Sequence, residues 1–181
     1  MVAEDAESKR HIFLTGFMGA GKTTVGQALA ERLGWEFVDL DRAIEKRVGL
    51  SIPEIFAQQG EDIFRHEETR SLQLLDDGPG KVVATGGGIV GREENRRLLS
   101  RLGKVVFLDL PWHVLQPRLQ AQGGRPLATG AQGWEPVRRL YEMRQPYYRQ
   151  ADLRIECSGL SPWQIVTRIV EMLNLCPEDP A

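Results

Sequence analysis

The sequence predicts an α/β fold, a three-layer sandwich in which helices cover both faces of a five-stranded parallel sheet. Short apolar runs alternate along the chain with longer segments whose apolar residues recur at helical spacing. Such alternation is typical of parallel sheets with right-handed helical crossovers. The runs are almost continuously apolar, as strands buried on both faces are. Glycines and polar residues follow the first three runs, at the edge of the sheet where ligands bind in this class of fold.

Five apolar runs predict the strands. They occupy residues 11–15, 35–38, 81–85, 105–108 and 153–156. Glycine follows the first and the third of these runs directly, so each of those two strands is expected to lead into a turn.

The helices are predicted from apolar periodicity together with start and stop signals. They occupy about 23–33, 42–48, 52–59, 62–75, 92–102, 114–122, 136–150 and 162–173. Ser51, with Glu54 three residues later, and Ser161 are expected N-caps. Pro117 is expected near a first turn, and Pro146 is expected to end or kink its helix.

The composition is that of one ordinary globular domain. The chain has 181 residues, of which 41% are hydrophobic and 27% are charged. Its net charge of -2 favours neither nucleic acid nor a membrane surface, and no apolar stretch is long enough to cross a bilayer. Two cysteines are too few for a disulfide scaffold. We therefore expect a cytoplasmic protein, a monomer, without nucleic-acid or membrane partners.

The predicted domain spans residues 11–174 and carries a mobile, glycine-rich lid at about 123–134. The acidic segment 1–10 lacks the apolar centre of a secretory signal, and we expect it to be a flexible tail. The same is expected of residues 175–181.

Residues 16–23, with the sequence Gly-Phe-Met-Gly-Ala-Gly-Lys-Thr, match the phosphate-binding P-loop and lie between a predicted strand and a predicted helix. Glycines permit left-handed backbone and close approach of phosphate, while successive N–H groups and the helix N-terminus attract the anion. Lys22 would bridge the β- and γ-phosphates of ATP, and the Thr23 hydroxyl would bind Mg²⁺. The motif indicates a fold of the P-loop NTPase type, but it does not identify the acceptor.

Two acids, Asp39 and Asp41, stand at the carboxyl end of the second predicted strand. Alternation along an extended segment would place both side chains on the same side. Beside a triphosphate, one carboxylate could hold Mg²⁺ and the other could contact the acceptor hydroxyl. They could equally be solvated charges that open a helix, where acids suit the helix dipole.

Three arginines and a glycine triplet are further candidates. Arg65, Arg125 and Arg144 lie in predicted helices or in the lid, and residues 86–88 are Gly-Gly-Gly after the third strand. Taken alone, each arginine is more typical of a solvated surface group, and the triplet is more typical of a plain turn.

Taken together, these features closely resemble the shikimate kinase family over about residues 11–173. The matching segments occur in the family's order and spacing, and they are residues 16–23, Asp39-x-Asp41, Ser51-Ile52-x-Glu54-Ile55-Phe56, Phe64-Arg65-x-x-Glu68, residues 86–88 and Arg125-Pro126-Leu127. The resemblance implies transfer of the γ-phosphate of ATP, with Mg²⁺, to the 3-hydroxyl of shikimate in the pathway to aromatic amino acids.

The resemblance also implies a role for each matching residue. The expected catalytic residues are Lys22, Asp41 and Arg125. The expected ATP-binding residues are Gly19, Ala20, Gly21, Lys22, Thr23, Thr24, Arg118 and Arg125, and the expected Mg²⁺ ligands are Thr23 and Asp39. The expected shikimate-binding residues are Asp41, Phe56, Phe64, Arg65, Glu68, Gly86, Gly87, Gly88 and Arg144. Within this set the two arginines would clamp the shikimate carboxylate, Glu68 would orient Arg65, and the phenylalanines would wall the ring.

Two alternatives stay open at this point. A related kinase acting on gluconate would keep the P-loop and the lid, but it would have no reason to combine Arg65 and Arg144 with Asp41. A non-catalytic nucleotide-binding module would be expected to have lost one of the catalytic residues. Asp109, after the fourth strand, could pose as the metal-binding acid, but the resemblance favours Asp39, and we interpret Asp109 as a residue that opens a helix.

Overall fold

The computed structural model describes residues 11–75, 79–121 and 133–175. The strands are β1 (His11–Thr15), β2 (Glu36–Asp39), β3 (Lys81–Ala84), β4 (Gly103–Asp109) and β5 (Leu153–Glu156). The helices are α1 (Lys22–Leu33), α2 (Leu40–Val48), α3 (Ile52–Gln59), α4 (Glu61–Gln73), α5 (Glu93–Leu102), α6 (Trp112–Ala121), α7 (Glu135–Tyr148) and α8 (Pro162–Met172). A 3₁₀ turn, Ile89–Gly91, follows β3.

The five strands form one parallel sheet in the order β2-β3-β1-β4-β5. Helix α1 packs against β3 and α8, while α5 packs against β4 and α4. The sheet supplies much of the core, because β1 is buried along its whole length and β4 along nearly all of it. The predicted three-layer fold with five parallel strands is confirmed.

The order of the strands decides where a ligand can bind. Strand β1 is central, with β3 on one side and β4 on the other, and β2 lies beyond β3. Because all the strands run in one direction, the P-loop after β1, Asp39 at the end of β2 and the glycines after β3 meet at one edge of the sheet. This edge is the carboxyl end, as the sequence predicted.

The predicted N-caps are present. The Ser51 side chain accepts a hydrogen bond from the Glu54 N–H, and the Glu54 carboxylate accepts one from the Ser51 N–H at 2.7 Å. Ser161 and Gln164 make the same reciprocal pair at the start of α8. Each box satisfies N–H groups that a helix start would otherwise leave without partners.

Three helix predictions are wrong in detail. Helix α2 begins at Leu40, so Asp39 is its N-cap and Asp41 lies in its first turn, not in an extended segment. Helix α6 begins at Trp112, which places Pro117 in the interior of the helix. Helix α7 continues through Pro146 to Tyr148, so Pro146 does not end the helix, whereas a kink at Pro146 stays a prediction. In the last two cases burial of one helix face against the core outweighs the hydrogen bond that proline cannot donate.

The tails and most of the lid lie outside the described residues. This applies to residues 1–10, to 122–132 of the lid region and to 176–181. In the ranges that are described, no helix combines the length and the apolar character needed to cross a bilayer.

Candidate active site

The P-loop takes the backbone form that its glycines predict. Gly16, Gly19 and Gly21 have φ values of +144°, +78° and +92°, which side-chain-bearing residues rarely adopt. A Cβ atom at Gly16 would in addition lie 2.8 Å from the Leu108 carbonyl oxygen. The loop turns sharply out of β1 and ends at Gly21, which is the N-cap of α1. The positive end of the α1 dipole therefore faces the space that the loop encloses.

Lys22, the first residue of α1, folds back over this loop. Its Nζ atom donates hydrogen bonds to the carbonyl oxygens of Gly16, at 2.8 Å, and Phe17, at 3.0 Å. The ammonium group thus lies beside the phosphate-binding space, on the floor of a pocket. A phosphate group in that pocket would gain a compact positive charge with three N–H donors.

The pocket at the P-loop also contains oxygen groups suited to a hard cation. The Thr23 hydroxyl donates a hydrogen bond to Asp39 Oδ2 at 3.1 Å. One oxygen of Asp41, Oδ1, is buried and has no hydrogen-bond partner among the residues that the structure describes. In the described part of the chain no cluster of three or more His, Cys, Asp or Glu side chains could enclose a metal. The donor set therefore fits Mg²⁺, which usually takes one or two protein oxygens together with phosphates and water.

Asp39 and Asp41 share this pocket for a reason other than the predicted one. Asp39 is the last residue of β2 and accepts the Arg42 N–H as an N-cap, whereas Asp41 projects from the first helical turn. The alternation argument is wrong because the chain has already become helical at Leu40. Both carboxylates nevertheless line the pocket, together with Lys22 and Thr23.

A second pocket adjoins the first. The two pockets share Met18, Asp41 and Gly87. The lining of the second pocket otherwise consists of Ile52, Phe56, Glu61, Phe64, Arg65, Glu68, Gly86, Gly88, Leu140 and Arg144. The structure therefore brings together all nine residues predicted to bind shikimate. One of them, Asp41, lines the pocket at the P-loop as well.

Arg65 is held in this second pocket by two acids of its own helix. Its guanidinium group donates to Glu68 at 2.8 Å and to Glu61 at 2.8 Å. Glu68 is fully buried, whereas the Glu61 side chain is largely exposed. Burial raises the pKa of Glu68, and the positive charge of Arg65 offsets this effect only in part. The contact through which Glu68 could orient Arg65 is thus present.

Two of the three glycines after β3 have no room for a side chain. A Cβ atom at Gly86 would lie 2.7 Å from Asp41 Oδ1 and 3.0 Å from Glu68 Oε1. A Cβ atom at Gly88 would overlap the Arg65 guanidinium group. The triplet is therefore more than a turn, because it lets three charged groups approach the backbone of one short segment.

Arg144, on α7, forms no salt bridge with any carboxylate of the described residues. It is half-buried, and burial lowers its pKa, as does the neighbouring positive charge of Arg65. Within the described ranges no carboxylate forms an ion pair with it, although Glu68 is near enough to act on its charge. Its guanidinium group lies 6.0 Å from the centre of the Phe17 ring. Two adjacent arginines, one of them without a salt bridge to a described residue, make this pocket chemically suited to a carboxylate or another planar anion.

Phe56 and Phe64 form an apolar wall of the same pocket. Their ring centres are 4.9 Å apart, and Phe56 retains 37% of its exposure whereas Phe64 retains 5%. The exposed face of Phe56 is available to the ring of a small ligand. The pocket thus combines an anion site, carboxylate acceptors and an apolar wall, as binding sites for small polar molecules generally do.

Three predicted residues need separate comment. Arg125 lies outside the described residues, as does the lid around it. Arg118 is exposed on α6 and lines neither pocket. Ala20 is buried, and its N–H donates to the Phe17 carbonyl at 3.2 Å, so the loop itself uses this donor. The ATP-binding roles given to these residues stay predictions.

The interpretation of Asp109 as a helix-opening residue is incomplete. The Arg154 guanidinium donates to Asp109 Oδ2, with 2.6 Å between Arg154 Nη2 and that oxygen. This ion pair joins the neighbouring strands β4 and β5. Asp109 does not line the phosphate pocket, in agreement with the preference for Asp39.

Sequence reasoning missed Tyr148. Its hydroxyl donates a hydrogen bond to the Gly87 carbonyl oxygen at 2.5 Å, across 61 positions of sequence. It also interacts with the Arg144 guanidinium group. The available signal was its position four residues after Arg144 in a predicted helix, which places both side chains on one face.

Comparisons with known sequences all indicate the same protein family. A sequence profile described as shikimate kinase matches residues 18–174. A shikimate kinase from Persephonella marina is 42% identical over 89% of this chain and 97% of its own length. Another, from Geobacter sulfurreducens, is 46% identical over 91% of this chain and 91% of its own.

Solved structures agree with the sequence comparisons. The shikimate kinase from Acinetobacter baumannii in complex with shikimate superposes with a TM-score of 0.85 at 38% identity, over 91% of this chain and 93% of that one. A sugar kinase from Janibacter sp. has a TM-score of 0.61 at 19% identity, over 93% of this chain and 96% of its own. At that identity the second likeness shows a shared fold and nothing more.

Proposed function

Because the chain belongs to the shikimate kinase family, we propose that it transfers the γ-phosphate of ATP to the 3-hydroxyl of shikimate. The products are shikimate 3-phosphate and ADP. The observation that carries the proposal is the position of Asp41, which lines both the pocket at the P-loop and the second pocket. A residue in that position can touch the acceptor hydroxyl while the donor phosphate lies on the other side.

On the donor side, we assign the phosphates of ATP to the P-loop. Backbone N–H groups of the loop and the N-terminus of α1 would surround the β-phosphate, and Lys22 would turn from its own carbonyl contacts toward the γ-phosphate. Thr23 and Asp39 are the residues that would hold Mg²⁺, given their direct contact at 3.1 Å. When bound, Mg²⁺ supplies positive charge that offsets the negative charge of the phosphate oxygens.

On the acceptor side, we assign the shikimate carboxylate to Arg65 and Arg144. Guanidinium groups bind carboxylates through paired hydrogen bonds, and the unpaired charge of Arg144 favours an anion. Phe56 would cover the ring of shikimate. The main chain of the 86–88 triplet would contact the hydroxyl groups, because it carries no side chain that would hold the ligand away.

Asp41 would position the 3-hydroxyl and receive its proton. In the reaction the O–H bond of that hydroxyl breaks, its oxygen bonds to the γ-phosphorus, and the bond from that phosphorus to the β–γ bridging oxygen breaks as ADP leaves. Burial raises the pKa of Asp41, an effect that the positive charge of Lys22 opposes only in part. A carboxylate with a raised pKa accepts a proton more readily than an ordinary aspartate.

Some assignments rest on the resemblance alone. Arg125 would bring positive charge to the transferring phosphoryl group from the lid, and Arg118 would lie beside the nucleotide base. A closing lid would exclude water, which would otherwise accept the phosphate. A monomeric state and a cytoplasmic location belong to this group of proposals as well.

An acceptor panel tests the proposal. ADP release is measured with shikimate, gluconate and nucleoside monophosphates as acceptors, each with Mg²⁺ and ATP. We expect turnover with shikimate well above the rate of ATP hydrolysis without an acceptor. Turnover with gluconate and none with shikimate would instead favour the gluconate kinase alternative, and no acceptor-dependent turnover at all would favour a non-catalytic module. The family comparisons favour neither alternative.

A further inference from the structure

Tyr148 is a buried aromatic side chain beside the second pocket, which is called the acceptor pocket from here on. It is 1% exposed, and its ring stacks on Phe107 of β4 with 5.1 Å between ring centres and 15° between planes. Phe107 is itself fully buried in the sheet. Since protein interiors are close-packed, the Tyr148 ring has a single position, and its hydroxyl oxygen is fixed with it.

The Tyr148 hydroxyl contacts the two walls of the acceptor pocket. It lies 2.5 Å from the Gly87 carbonyl oxygen, in the segment shared by both pockets. On the other side it faces the guanidinium group of Arg144, one helical turn earlier on α7. One oxygen atom thus connects the glycine segment after β3 with the helix that carries the unpaired arginine.

The direction of the Tyr148–Gly87 hydrogen bond is fixed by chemistry. A carbonyl oxygen can only accept, and a guanidinium group can only donate. The single phenolic proton must therefore point at Gly87, which leaves the lone pairs of the same oxygen free to accept an N–H from Arg144, one helical turn earlier on α7. Burial raises the pKa of Tyr148 to about 12, so the proton stays on the phenol at neutral pH.

We propose that Tyr148 is a positioning residue for acceptor binding, which holds the Arg144 guanidinium group at a fixed place relative to the Gly87 main chain. Arg144 has no carboxylate partner among the described residues, so little else fixes a side chain with several rotatable bonds. Arg65, by contrast, is held by two acids. A phenol is suited to orient Arg144, because it accepts one N–H without neutralising the charge that the ligand needs. The proposal rests on the proposed function, since it assigns Arg144 to the shikimate carboxylate.

The test uses Tyr148→Phe, which removes the hydroxyl and keeps the ring. We expect KM for shikimate to rise roughly tenfold, because Arg144 must be ordered by the ligand itself, while KM for ATP changes by less than about twofold. Tyr141→Phe is the matched control. Tyr141 lies two turns earlier on α7 and donates to the Leu110 carbonyl oxygen at 3.2 Å, but it lines neither pocket. That variant should keep KM for shikimate within about twofold of the unmodified protein.

A double-mutant cycle with Arg144→Ala separates positioning from general loosening of the fold. If Tyr148 acts through Arg144, then Tyr148→Phe should raise KM for shikimate by no more than about threefold once Arg144 is absent. An equal rise in both backgrounds, an unchanged KM for shikimate in the single variant, or an equal rise in KM for ATP would each overturn the proposal.

A measurement on the unmodified protein does not depend on whether the variants fold. In the ligand-free protein at low temperature, NMR should resolve separate Nη resonances for Arg144, because the proposed hydrogen bond to Tyr148 would hinder rotation of the guanidinium group. Averaged resonances that separate only when shikimate is added would contradict the proposal. Absence of shikimate binding by the unmodified protein would instead contradict the proposed function, so the two failures are distinguishable.

Discussion

At the scale of single residues, two carboxylates of this site have buried oxygens to which no described neighbour donates a hydrogen bond. Asp41 Oδ1 and Glu68 Oε1 are both buried without a hydrogen-bond partner in the described part of the chain, and both lie within 3.0 Å of where a Cβ atom of residue 86 would be. Buried acceptors normally find donors within the protein, so two such atoms in one place mark a binding site. The acceptor hydroxyl groups that we assign to this pocket are the donors that these oxygens lack.

Replacement of Asp41 by Asn tests its chemical role. We expect kcat to fall by about 100-fold or more, because the amide can contact a hydroxyl but cannot take its proton. Affinity for ATP should change little, since Lys22 and the P-loop backbone are untouched. Steady-state kinetics with both substrates varied, together with calorimetric titration of ATP, would measure this. Asp62→Asn serves as the control, because the Asp62 side chain is 99% exposed on α4. Turnover near that of the unmodified protein would remove Asp41 from the proton transfer.

At the scale of elements, the acceptor pocket depends on how α4 meets the segment after β3. Helix α4 presents Arg65 and Glu68 from adjacent turns, and the glycine segment lies against both. Contact between α4 and the 3₁₀ turn continues the same packing. The distance between α4 and the segment after β3 therefore depends on glycines, which have no side chain to hold the two elements apart.

Gly88→Ala tests this dependence with little strain on the backbone. Gly88 has a φ of -96°, which alanine adopts freely, and the atoms nearest to the new methyl group belong to the flexible end of Arg65. We expect KM for shikimate to rise about tenfold as Arg65 is displaced, with KM for ATP unchanged. Gly91→Ala is the matched control three residues later, because a Cβ atom there has no heavy atom within 4 Å. Similar kinetics of the two alanine variants would show that the close approach at Gly88 does not matter.

At the scale of the whole molecule, burial of two carboxylates in the site lowers the free energy of unfolding. The folded protein holds Asp41 and Glu68 in positions where burial raises the pKa of each. The ordinary pKa of Asp41 is 3.8, and above that pH the unfolded chain has released a proton that the folded protein retains. Because the folded state then binds more protons, the free energy of unfolding falls as the pH rises through the interval up to the raised pKa. The deficit persists at neutral pH.

Asp41→Asn should therefore stabilise the ligand-free protein while it inactivates the enzyme. We expect the variant to have a higher Tm than the unmodified protein at pH 7, and the difference should shrink toward zero below pH 3.8, where Asp41 is neutral in both states. Thermal unfolding followed by circular dichroism across this pH range would measure it. Asp62→Asn should show no such pH-dependent difference, and a lower Tm for Asp41→Asn at pH 7 would contradict the argument.

Much of this molecule was predictable because local patterns and the global fold agree. The five strands, the P-loop and the two capping boxes follow from periodicity, glycine placement and cap chemistry, which act over a few residues. The start of α2 was missed because Asp39 is both the last strand residue and the helix cap, and no intervening turn marks the change. Pro117 was placed too early in its helix for a similar reason, since Pro111 and Trp112 continue into the helix without a break.

The parts of the site that the sequence could not predict depend on long-range contacts. Tyr148 meets Gly87 across 61 positions, and the Gly86 triplet meets side chains of α2 and α4. The helical spacing from Arg144 does not distinguish Tyr148 from Tyr147 beside it, since residues three and four positions later share one helix face, yet Tyr147 is 38% exposed. Only the packing of α7 on the sheet decides which of the two rings is buried and which hydroxyl reaches the pocket.

The P-loop residue Phe17 touches both halves of the site. Its carbonyl oxygen accepts the Lys22 ammonium at 3.0 Å, and its ring lies 6.0 Å from the Arg144 guanidinium group. On the proposed assignments, nucleotide phosphates would compete for Lys22 and an acceptor carboxylate would compete for Arg144, so each ligand would alter one side of the same residue. If bound ATP changes the affinity for shikimate by some factor through this contact, bound shikimate must change the affinity for ATP by the same factor. This reciprocity holds whichever substrate binds first. The order in which ATP and shikimate bind therefore depends only on their rates of binding and release.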